Sequence, residues 1–411
     1  MLDDLFALSR EMIRILNRPY ERYFIRAVDL KGRCSIVAGK RGVGKTTTLI
    51  QHLLKRDADI QTSRQSLYVP VDHFAVRNTP LYEIARDFVQ QGGRRLYVDE
   101  IHKYPEWSRD LKSIYETFPD LTVVASGSSM MQIRKGSHDL SRRAVVYRMT
   151  GMSFREFLEM RFSIELPVIE LESLVKSHES LVPDLVDALK SVGQRPLGAF
   201  ADYLQFGVYP YYFEYKDRDV FRATLEQNVH TAIESDLPAV HPQLTGTSIA
   251  RIKVLLAAIA ASMPLTPDLV KLRRLLDITD DRTLKGYLGY LEDAGLIMAF
   301  GRTGRPVKAM EKPRKIYLGD VNEAHALQPS GRADIGSVRE TFFAQSVSVA
   351  HPLRIPDRGD FATDSGMVFE VGGRNKTASQ IREQPNAYLA VDGVETGVGD
   401  RIPLWAFGFL Y

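Results

Sequence analysis

The chain has 411 residues, of which 44% are hydrophobic and 26% are charged. This composition excludes a disordered chain, and the length predicts two or three domains. The formal net charge of +3 is too small to indicate polyanion binding by the whole surface, so any nucleic-acid surface must be local. The single cysteine, Cys34, excludes intramolecular disulfides and multi-cysteine metal sites, which fits a reducing compartment.

The sequence predicts a cytoplasmic protein without membrane spans. Its longest apolar run, Val254 to Met263, has about half the length that a transmembrane helix needs. The first residues, Met1-Leu2-Asp3-Asp4, are acidic where a signal peptide requires a basic segment.

Short β-rich runs alternate with helical patterns in the first third of the chain, which is typical of a parallel sheet with crossover helices. Helices are predicted to start near Gly44, Pro80 and Trp107. The predicted strands are Cys34 to Ala38, Leu67 to Val71, Arg95 to Val98, Leu121 to Ser126 and Ala144 to Met149.

Beyond Gly151 the periodicity becomes almost purely helical. Three helices, the last at about Asp281 to Ala294, precede a hairpin signal, and this order is typical of a winged helix. The last hundred residues return to mixed α and β, with a predicted helix at about Ser337 to Val349 and a hairpin that turns at Asp364-Ser365-Gly366.

A phosphate-binding motif follows the first predicted strand. The run Gly39 to Thr46 matches GxxxxGK[ST] at every required position and opens a helix. Its glycines let successive backbone amides point at phosphates, and the helix N-terminus adds positive potential. We expect Lys45 to reach the β and γ phosphates and the Thr46 hydroxyl to ligate Mg²⁺. The predicted nucleotide-binding residues are Gly39, Lys40, Arg41, Gly42, Val43, Gly44, Lys45, Thr46 and Thr47.

A strand that ends in two acids supplies the second half of the predicted site. Asp99 is expected to hold Mg²⁺ through water, and Glu100 to polarise the attacking water as a general base. Together with a complete phosphate loop, these acids favour hydrolysis over binding alone. Ser128, in the Gly127-Ser128-Ser129 turn after the next strand, is a candidate to position the lytic water, although an ordinary Ser/Gly loop has the same composition.

An arginine pair precedes the fifth predicted strand. Arg142 and Arg143 have guanidinium groups that can stabilise γ-phosphate charge, in their own chain or from a neighbouring subunit. Solvated surface charge explains the pair equally well. Arg143 is the preferred candidate for an arginine finger.

The chain resembles the prokaryotic AAA+-like ATPases in which the P-loop core precedes a C-terminal domain of unknown function similar to restriction endonucleases. The segments that carry the resemblance are Arg18-Pro19-Tyr20, Gly39 to Thr47, Asp99 to Trp107, Ala125 to Ser129, Met152 to Phe157, Pro313 to Asp320 and Phe369 to Lys376. His102, within this set, is expected to be a structural or relay residue.

The resemblance implies an α/β chain of four parts. These are an additional-strand P-loop ATPase core over residues 1–150, a helical lid over 151–245, a winged helix over 246–308 and a nuclease-like α/β domain over 309–411. It also implies that the nucleotide is ATP, and the sequence contains no Asn/Thr-Lys-x-Asp guanine-reading motif.

The leading hypothesis is an Mg²⁺-dependent ATPase that acts as a nucleotide-driven conformational switch, with ATP and ADP as ligands. A finger that acts on a neighbouring subunit would require a homo-oligomer. Two alternatives stay open: a nucleotide-sensing regulator that binds DNA through the winged helix, and an ATP-gated nuclease.

The predicted winged helix contains candidate DNA contacts, although a purely structural role fits equally well. Arg282 and Lys285 are expected to project from the third helix, where Gly286 and Gly289 would permit close approach to a nucleic-acid backbone. The candidate phosphate contacts of the wing are Arg302, Arg305 and Lys308.

The C-terminal domain is predicted to be nuclease-like in fold but impaired in cleavage. A Mg²⁺-dependent phosphodiesterase of that fold needs an Asp, a Glu on the next strand, and a Lys two residues after the Glu. Asp360 and Glu370 fill the first two places, and Glu340 can add a carboxylate, but Gly372 occupies the third place. The nearest cations, Arg374 and Lys376, lie beyond a Gly-Gly break, in a loop that we expect to be flexible.

Overall fold

The computed structural model describes the whole chain except residues 1, 61, 77–78, 129–132, 134–139, 141, 303–311, 329–332 and 382–383. The chain divides into two compact units, Met1–Gly151 and Met152–Tyr411. None of the helices in the described part of the chain is long and apolar enough to cross a membrane.

The first unit is a five-stranded parallel sheet covered by helices. The strand order is β2-β3-β4-β1-β5, so β4 lies between the strand that enters the phosphate loop and the strand that ends in Asp99. This additional-strand topology confirms the expected core. The strands are β1 Cys34–Ala38, β2 Ser66–Pro70, β3 Arg95–Asp99, β4 Thr122–Gly127 and β5 Val145–Arg148. The helices are α1 Leu2–Leu16, α2 Tyr23–Ala27, α3 Lys45–Arg56, α4 Leu81–Gln90 and α5 Trp107–Thr117.

All five predicted strands are confirmed to within one residue at each end. The prediction succeeds because these runs are apolar: β1 and β2 are buried along their whole length, as expected for parallel strands with both faces covered. Only the edge strand β5 is largely accessible, with Val145 49% exposed. Since all strands are parallel, the carboxyl ends of β1, β3 and β4 meet at one edge of the sheet.

The second unit begins with helices and ends in a mixed sheet. Its helices are α6 Phe154–Phe162, α7 Leu171–Ser191, α8 Pro196–Phe206, α9 Arg218–Thr231, α10 Leu237–Val240, α11 Gly246–Ala261, α12 Leu269–Leu276, α13 Asp281–Asp293, α14 Val321–Ala326 and α15 Ile335–Val347. Its strands are β6 Ile297–Phe300, β7 Lys315–Leu318, β8 Leu353–Arg354, β9 Phe361–Thr363, β10 Val368–Gly372, β11 Ala387–Val391 and β12 Arg401–Pro403.

The strands β6 to β12 form two sheets. Strands β6 and β7 form an antiparallel pair, and Leu265 adds an isolated bridge to Ile316. The last five strands lie in the order β12-β11-β10-β9-β8, with β9 and β10 joined as the predicted hairpin. Helix α15 starts two residues before the predicted position because Asp334 caps it, accepting a hydrogen bond from the Ser337 amide.

A buried ion pair lies in α6, the first helix of the second unit. Arg155 and Glu159 have side chains only 3% and 2% exposed and are 2.6 Å apart. The Arg155 Nε donates to the carbonyl oxygen of Tyr411 at 3.0 Å, and Glu159 also accepts from the Leu166 amide. The pair therefore ties helix α6 to the last residue of the chain.

We expect Arg155→Ala to lower the unfolding free energy of this unit by about 3–5 kcal/mol, because it leaves Glu159 buried without its cation. Urea unfolding of the parent and the variant, followed by Trp405 fluorescence in a Trp107→Phe background, measures the change. Arg161→Ala is the matched control: it breaks a partly exposed pair with Asp202 and is expected to cost less than about 1 kcal/mol. Equal losses in the two variants would contradict the assignment.

Candidate functional site

The phosphate loop lies between β1 and α3, at the carboxyl edge of the sheet. Gly42 and Gly44 have φ values of 79° and 96°, in the left-handed region where glycine carries no Cβ penalty. These angles curl the loop, and the Lys45 ammonium donates to the Lys40 carbonyl oxygen at 2.9 Å. A cradle of this kind, opening a 12-residue helix, fits a bound phosphate chain.

Asp99, at the end of β3, is held by three hydroxyl groups. Thr46 Oγ1 and Tyr68 Oη donate to its Oδ2 at 2.8 and 2.7 Å, and Ser126 Oγ donates to its Oδ1. The carboxylate is 4% exposed. Thr46 and Asp99 were both predicted to bind Mg²⁺, and the structure brings their side chains into direct contact. Tyr68 belongs to no recognised motif and was not predicted.

The residues around Asp99 fit an Mg²⁺ ion that is shared with a nucleotide. Thr46 and Asp99 supply oxygen ligands next to the phosphate cradle, and Mg²⁺ is typically bound by one or two carboxylates, waters and substrate phosphates. Among the residues that the structure describes, no three His, Cys, Asp or Glu side chains are grouped to hold a metal by themselves. A cation here would therefore depend on the phosphates.

Glu100 follows Asp99 in a left-handed conformation, with φ 51°, which turns its side chain away from the path of the strand. Its Oε2 accepts a hydrogen bond from Ser128 Oγ at 3.3 Å, so the predicted base and the predicted water-positioning hydroxyl lie together. Burial raises the pKa of Glu100 above its usual value, against the opposing charge of Lys45. Ser129 lies outside the described residues.

The buried Arg22 braces the phosphate loop and was missed by sequence reasoning. Its Nη1 donates to the Val43 carbonyl oxygen at 2.5 Å, and its Nη2 donates to that of Thr150 at 3.1 Å. The side chain thus joins the loop to the residue just before the end of the first unit. Gly39 approaches the same segment so closely that a Cβ would collide with the carbonyl oxygen of Met149. Thr47, a predicted binding residue, instead directs its hydroxyl to the Leu16 carbonyl oxygen at 3.5 Å.

Arg143 is not brought to the phosphate loop of its own chain. Val145 is level with Ser35 near the start of β1, so Arg143 lies at the amino edge of the sheet, opposite the loop. There its guanidinium pairs with Glu116 at 2.5 Å. A finger acting within one chain does not fit this position, because parallel strands put a residue before β5 and a residue after β1 at opposite edges.

Of the five candidate DNA-contacting side chains, those of Arg282, Lys285 and Arg302 belong to the described residues. Arg282 is exposed and Lys285 half-buried on α13, and a Cβ at Gly286 or Gly289 would meet open space. Arg302 lies 3.9 Å from Asp357. Arg305 and Lys308 lie outside the described residues.

A second group of charged residues, here called the acid–lysine cluster, lies in the second unit. Its members are Lys315, Glu340, Asp360, Glu370 and Lys376. The Lys315 ammonium contacts Glu340 at 3.1 Å and Asp360 at 3.0 Å, and the Lys376 ammonium contacts Glu370 at 2.6 Å. Burial alone would lower the pKa of Lys376, but its hydrogen bond to Glu370 and the surrounding acids raise it.

The loop that carries Lys376 makes hydrogen bonds to Arg401. The Arg401 guanidinium donates to the carbonyl oxygens of Lys376 and Arg374 at 2.8 and 2.9 Å. Gly372 makes room for the returning side chain: a Cβ there would lie 2.6 Å from Cγ of Lys376. The lysine therefore occupies the space that a side chain at residue 372 would fill.

Comparison with known families identifies two parts of the chain. Residues 31–158 match a family model described as an AAA domain, AAA_14. Residues 197–334 match a model described as a domain of unknown function, DUF8612. No curated protein matches the sequence. The second match contains Lys315, ends before the four other members of the acid–lysine cluster, and assigns no role to any of them.

Solved structures that are similar to this chain have low sequence identity to it. A Walker-type ATPase of Pyrococcus abyssi is 15% identical, with 72% of this chain and 91% of that chain covered and a TM-score of 0.39. AMPPCP-bound DnaA of Aquifex aeolicus is 12% identical, with 70% and 87% covered and a TM-score of 0.23. The assignment therefore rests on the family match and on the site: the first unit carries a P-loop domain of the AAA class.

We expect Arg22→Met to weaken nucleotide binding, because the carbonyls of Val43 and Thr150 would lose a shared donor, at about 1–3 kcal/mol for each buried unpaired group. Titration with a fluorescent ATP analogue measures the affinity. Arg26→Met, which removes an exposed arginine of the helix that follows Arg22, is the matched control and should bind as the parent does. Parent-like affinity in Arg22→Met would contradict the bracing role.

Proposed function

We propose that this protein is an Mg²⁺-dependent ATPase that works as a nucleotide-driven switch. The observation that carries the proposal is the direct hydrogen bond between Thr46 and Asp99, with Glu100 following on the same strand end. In this proposal Thr46 and Asp99 are the metal ligand pair beside the phosphate cradle, and Glu100 is the carboxylate that acts at the γ-phosphate.

Each step of the proposed ATP binding and hydrolysis is assigned to residues of this chain. Amides of residues 39–47 and the Lys45 ammonium would hold the phosphates, and Thr46 and Asp99 would hold Mg²⁺, which supplies charge neutralisation at the β and γ phosphates. Glu100 would accept a proton from the attacking water, and Ser128 would orient that water. The Arg22 contact with Thr150 supports transmission of loop movement to the end of the first unit.

Features away from the phosphate loop extend the proposal. The order α11, α12, α13, β6, β7, with the Leu265–Ile316 bridge, supports a winged helix in the second unit. Arg143 is proposed as a finger only from a neighbouring subunit, which requires a homo-oligomer. The cis alternative does not agree with its place at the amino edge.

Glu100→Gln should retain ATP binding and lose turnover by about 10²- to 10⁴-fold, because it keeps Thr46 and Asp99 but removes the proton acceptor. Phosphate release measures turnover, and equilibrium titration measures binding. The matched control is Glu106→Gln, whose side chain is 51% exposed in a pair with Arg109. Turnover at the parent rate in Glu100→Gln would contradict the assigned base.

Nucleic-acid cleavage is a second candidate function. The observation in its favour is the contact between Lys376 and Glu370, which restores the charge that Gly372 lacks. Asp360 accepts from the Val371 amide at 3.0 Å, so it lies beside the strand that carries Glu370. These positions support an acid pair and a lysine near one scissile phosphate.

If the second candidate is correct, the parent protein cleaves single-stranded DNA, duplex DNA or RNA with Mg²⁺ or Mn²⁺, and Lys376→Met abolishes that cleavage. Gel analysis of labelled substrates, with and without ATP, measures it. Arg374→Met removes an exposed side chain of the same loop and should cleave as the parent does. Absence of cleavage by the parent on all three substrates would reject this candidate.

A further inference from the structure

We propose that His102 is a positioning residue that sets the place of the Glu100 carboxylate by acting through the Ser128 hydroxyl. The inference rests on the proposed ATPase function and names a residue whose part in it neither the motifs nor the family match assign. It predicts that His102 controls the rate of turnover without contacting the nucleotide.

The three side chains form one hydrogen-bonded unit. Ser128 Oγ lies 3.1 Å from His102 Nε2 and donates to Glu100 Oε2 at 3.3 Å. The His102 side chain is 1% exposed, whereas that of Glu100 is 25% exposed. The imidazole is thus the buried end of the unit, and the carboxylate is the end that reaches the site.

In this proposal His102 has the tautomer with its proton on Nε2. Ser128 has a single hydroxyl proton, and when that proton goes to Glu100 the Ser128 oxygen accepts from Nε2–H; the Gln and Asn variants below distinguish this tautomer from the one with the proton on Nδ1. Nδ1 then needs no donor role, and it makes no hydrogen bond among the described residues, although it lies 3.3 Å from Glu100 Oε2. His102 therefore acts on Glu100 through Ser128.

Packing fixes the imidazole in this place. A Cβ at Gly127 would lie 2.7 Å from Cδ1 of Ile133 and 3.4 Å from His102 Nδ1, so the strand end is glycine where ring and strand meet closely. His102 follows Glu100 in a short 3₁₀ turn, Ile101–Lys103. The left-handed backbone of Glu100 starts that turn and directs both side chains toward Ser128.

The role proposed for His102 depends on the single hydroxyl proton of Ser128. Ser128 has one hydroxyl hydrogen, so it can donate either to Glu100 or to another acceptor, such as the γ-phosphate or the lytic water. The His102 Nε2–H keeps the Ser128 oxygen in place in both cases. Without that donor, Ser128 and Glu100 lose their fixed geometry, and a misplacement of about 1 Å can reduce a rate by about 10²-fold.

The test compares amide replacements that differ in where they place an N–H. In His102→Gln the side-chain amide reaches the place of Nε2, and in His102→Asn it reaches only the place of Nδ1. His102→Leu fills the volume without a donor. Steady-state ATP hydrolysis gives kcat and KM for each variant, and titration with a fluorescent ATP analogue confirms that each variant folds and binds.

We expect His102→Asn and His102→Leu to lower kcat by about 10- to 100-fold with KM unchanged, and His102→Gln to stay within about 3-fold of the parent. The double variant His102→Leu/Ser128→Ala should be no slower than Ser128→Ala alone, because the two residues act in series. Parent-like kcat in His102→Leu, failure of Gln to rescue, or multiplied losses in the double variant would each overturn the proposal.

Failure of the underlying function gives a different result. If the parent protein and Glu100→Gln hydrolyse ATP equally, the ATPase assignment fails and His102 has no turnover to control. If Glu100→Gln is inactive while His102→Leu equals the parent, the ATPase assignment stands and only the positioning role fails.

Discussion

The site in the first unit depends on how the Asp99 carboxylate is held. Its three hydroxyl partners come from three different elements: Thr46 from helix α3, Tyr68 from β2 and Ser126 from β4. Strands β2 and β4 are the two neighbours of β3, so the strand order itself brings these donors to one carboxylate. A hydrogen bond to a charged group contributes about 1.5–3 kcal/mol, and losing a partner of a buried acid costs more. The strand order therefore also sets the position of the Asp99 carboxylate.

The first unit could be predicted well because its signals are local. Apolar strands, the phosphate motif and the Asp-Glu pair are each contiguous in the sequence, and each was placed correctly to within a residue. Arg22 and Tyr68 could not be found in this way. Arg22 is one of many arginines, and its partners Val43 and Thr150 are 21 and 128 residues away. Contacts between residues so far apart in the sequence form only when the chain folds.

Arg143 and Lys376 illustrate two further limits. The position of Arg143 in the sequence did not indicate on which edge of the sheet it lies, since the edge depends on the direction of the following strand. For Lys376, spacing along a strand suggested a missing cation, but the chain turns back, Lys376 contacts Glu370, and Arg401 donates a hydrogen bond to the Lys376 carbonyl oxygen. Charge at a site can thus come from a residue that the expected spacing excludes.

We propose that the first unit binds Mg²⁺-ATP through Lys45, Thr46 and Asp99. Isothermal titration of the 411-residue protein with ATP, with and without Mg²⁺, tests this binding most directly. The structure predicts one ATP per chain, tighter binding when Mg²⁺ is present, and loss of that Mg²⁺-dependent gain in Asp99→Asn. Absence of ATP binding by the parent, or an affinity that neither Mg²⁺ nor Asp99→Asn changes, would contradict the account.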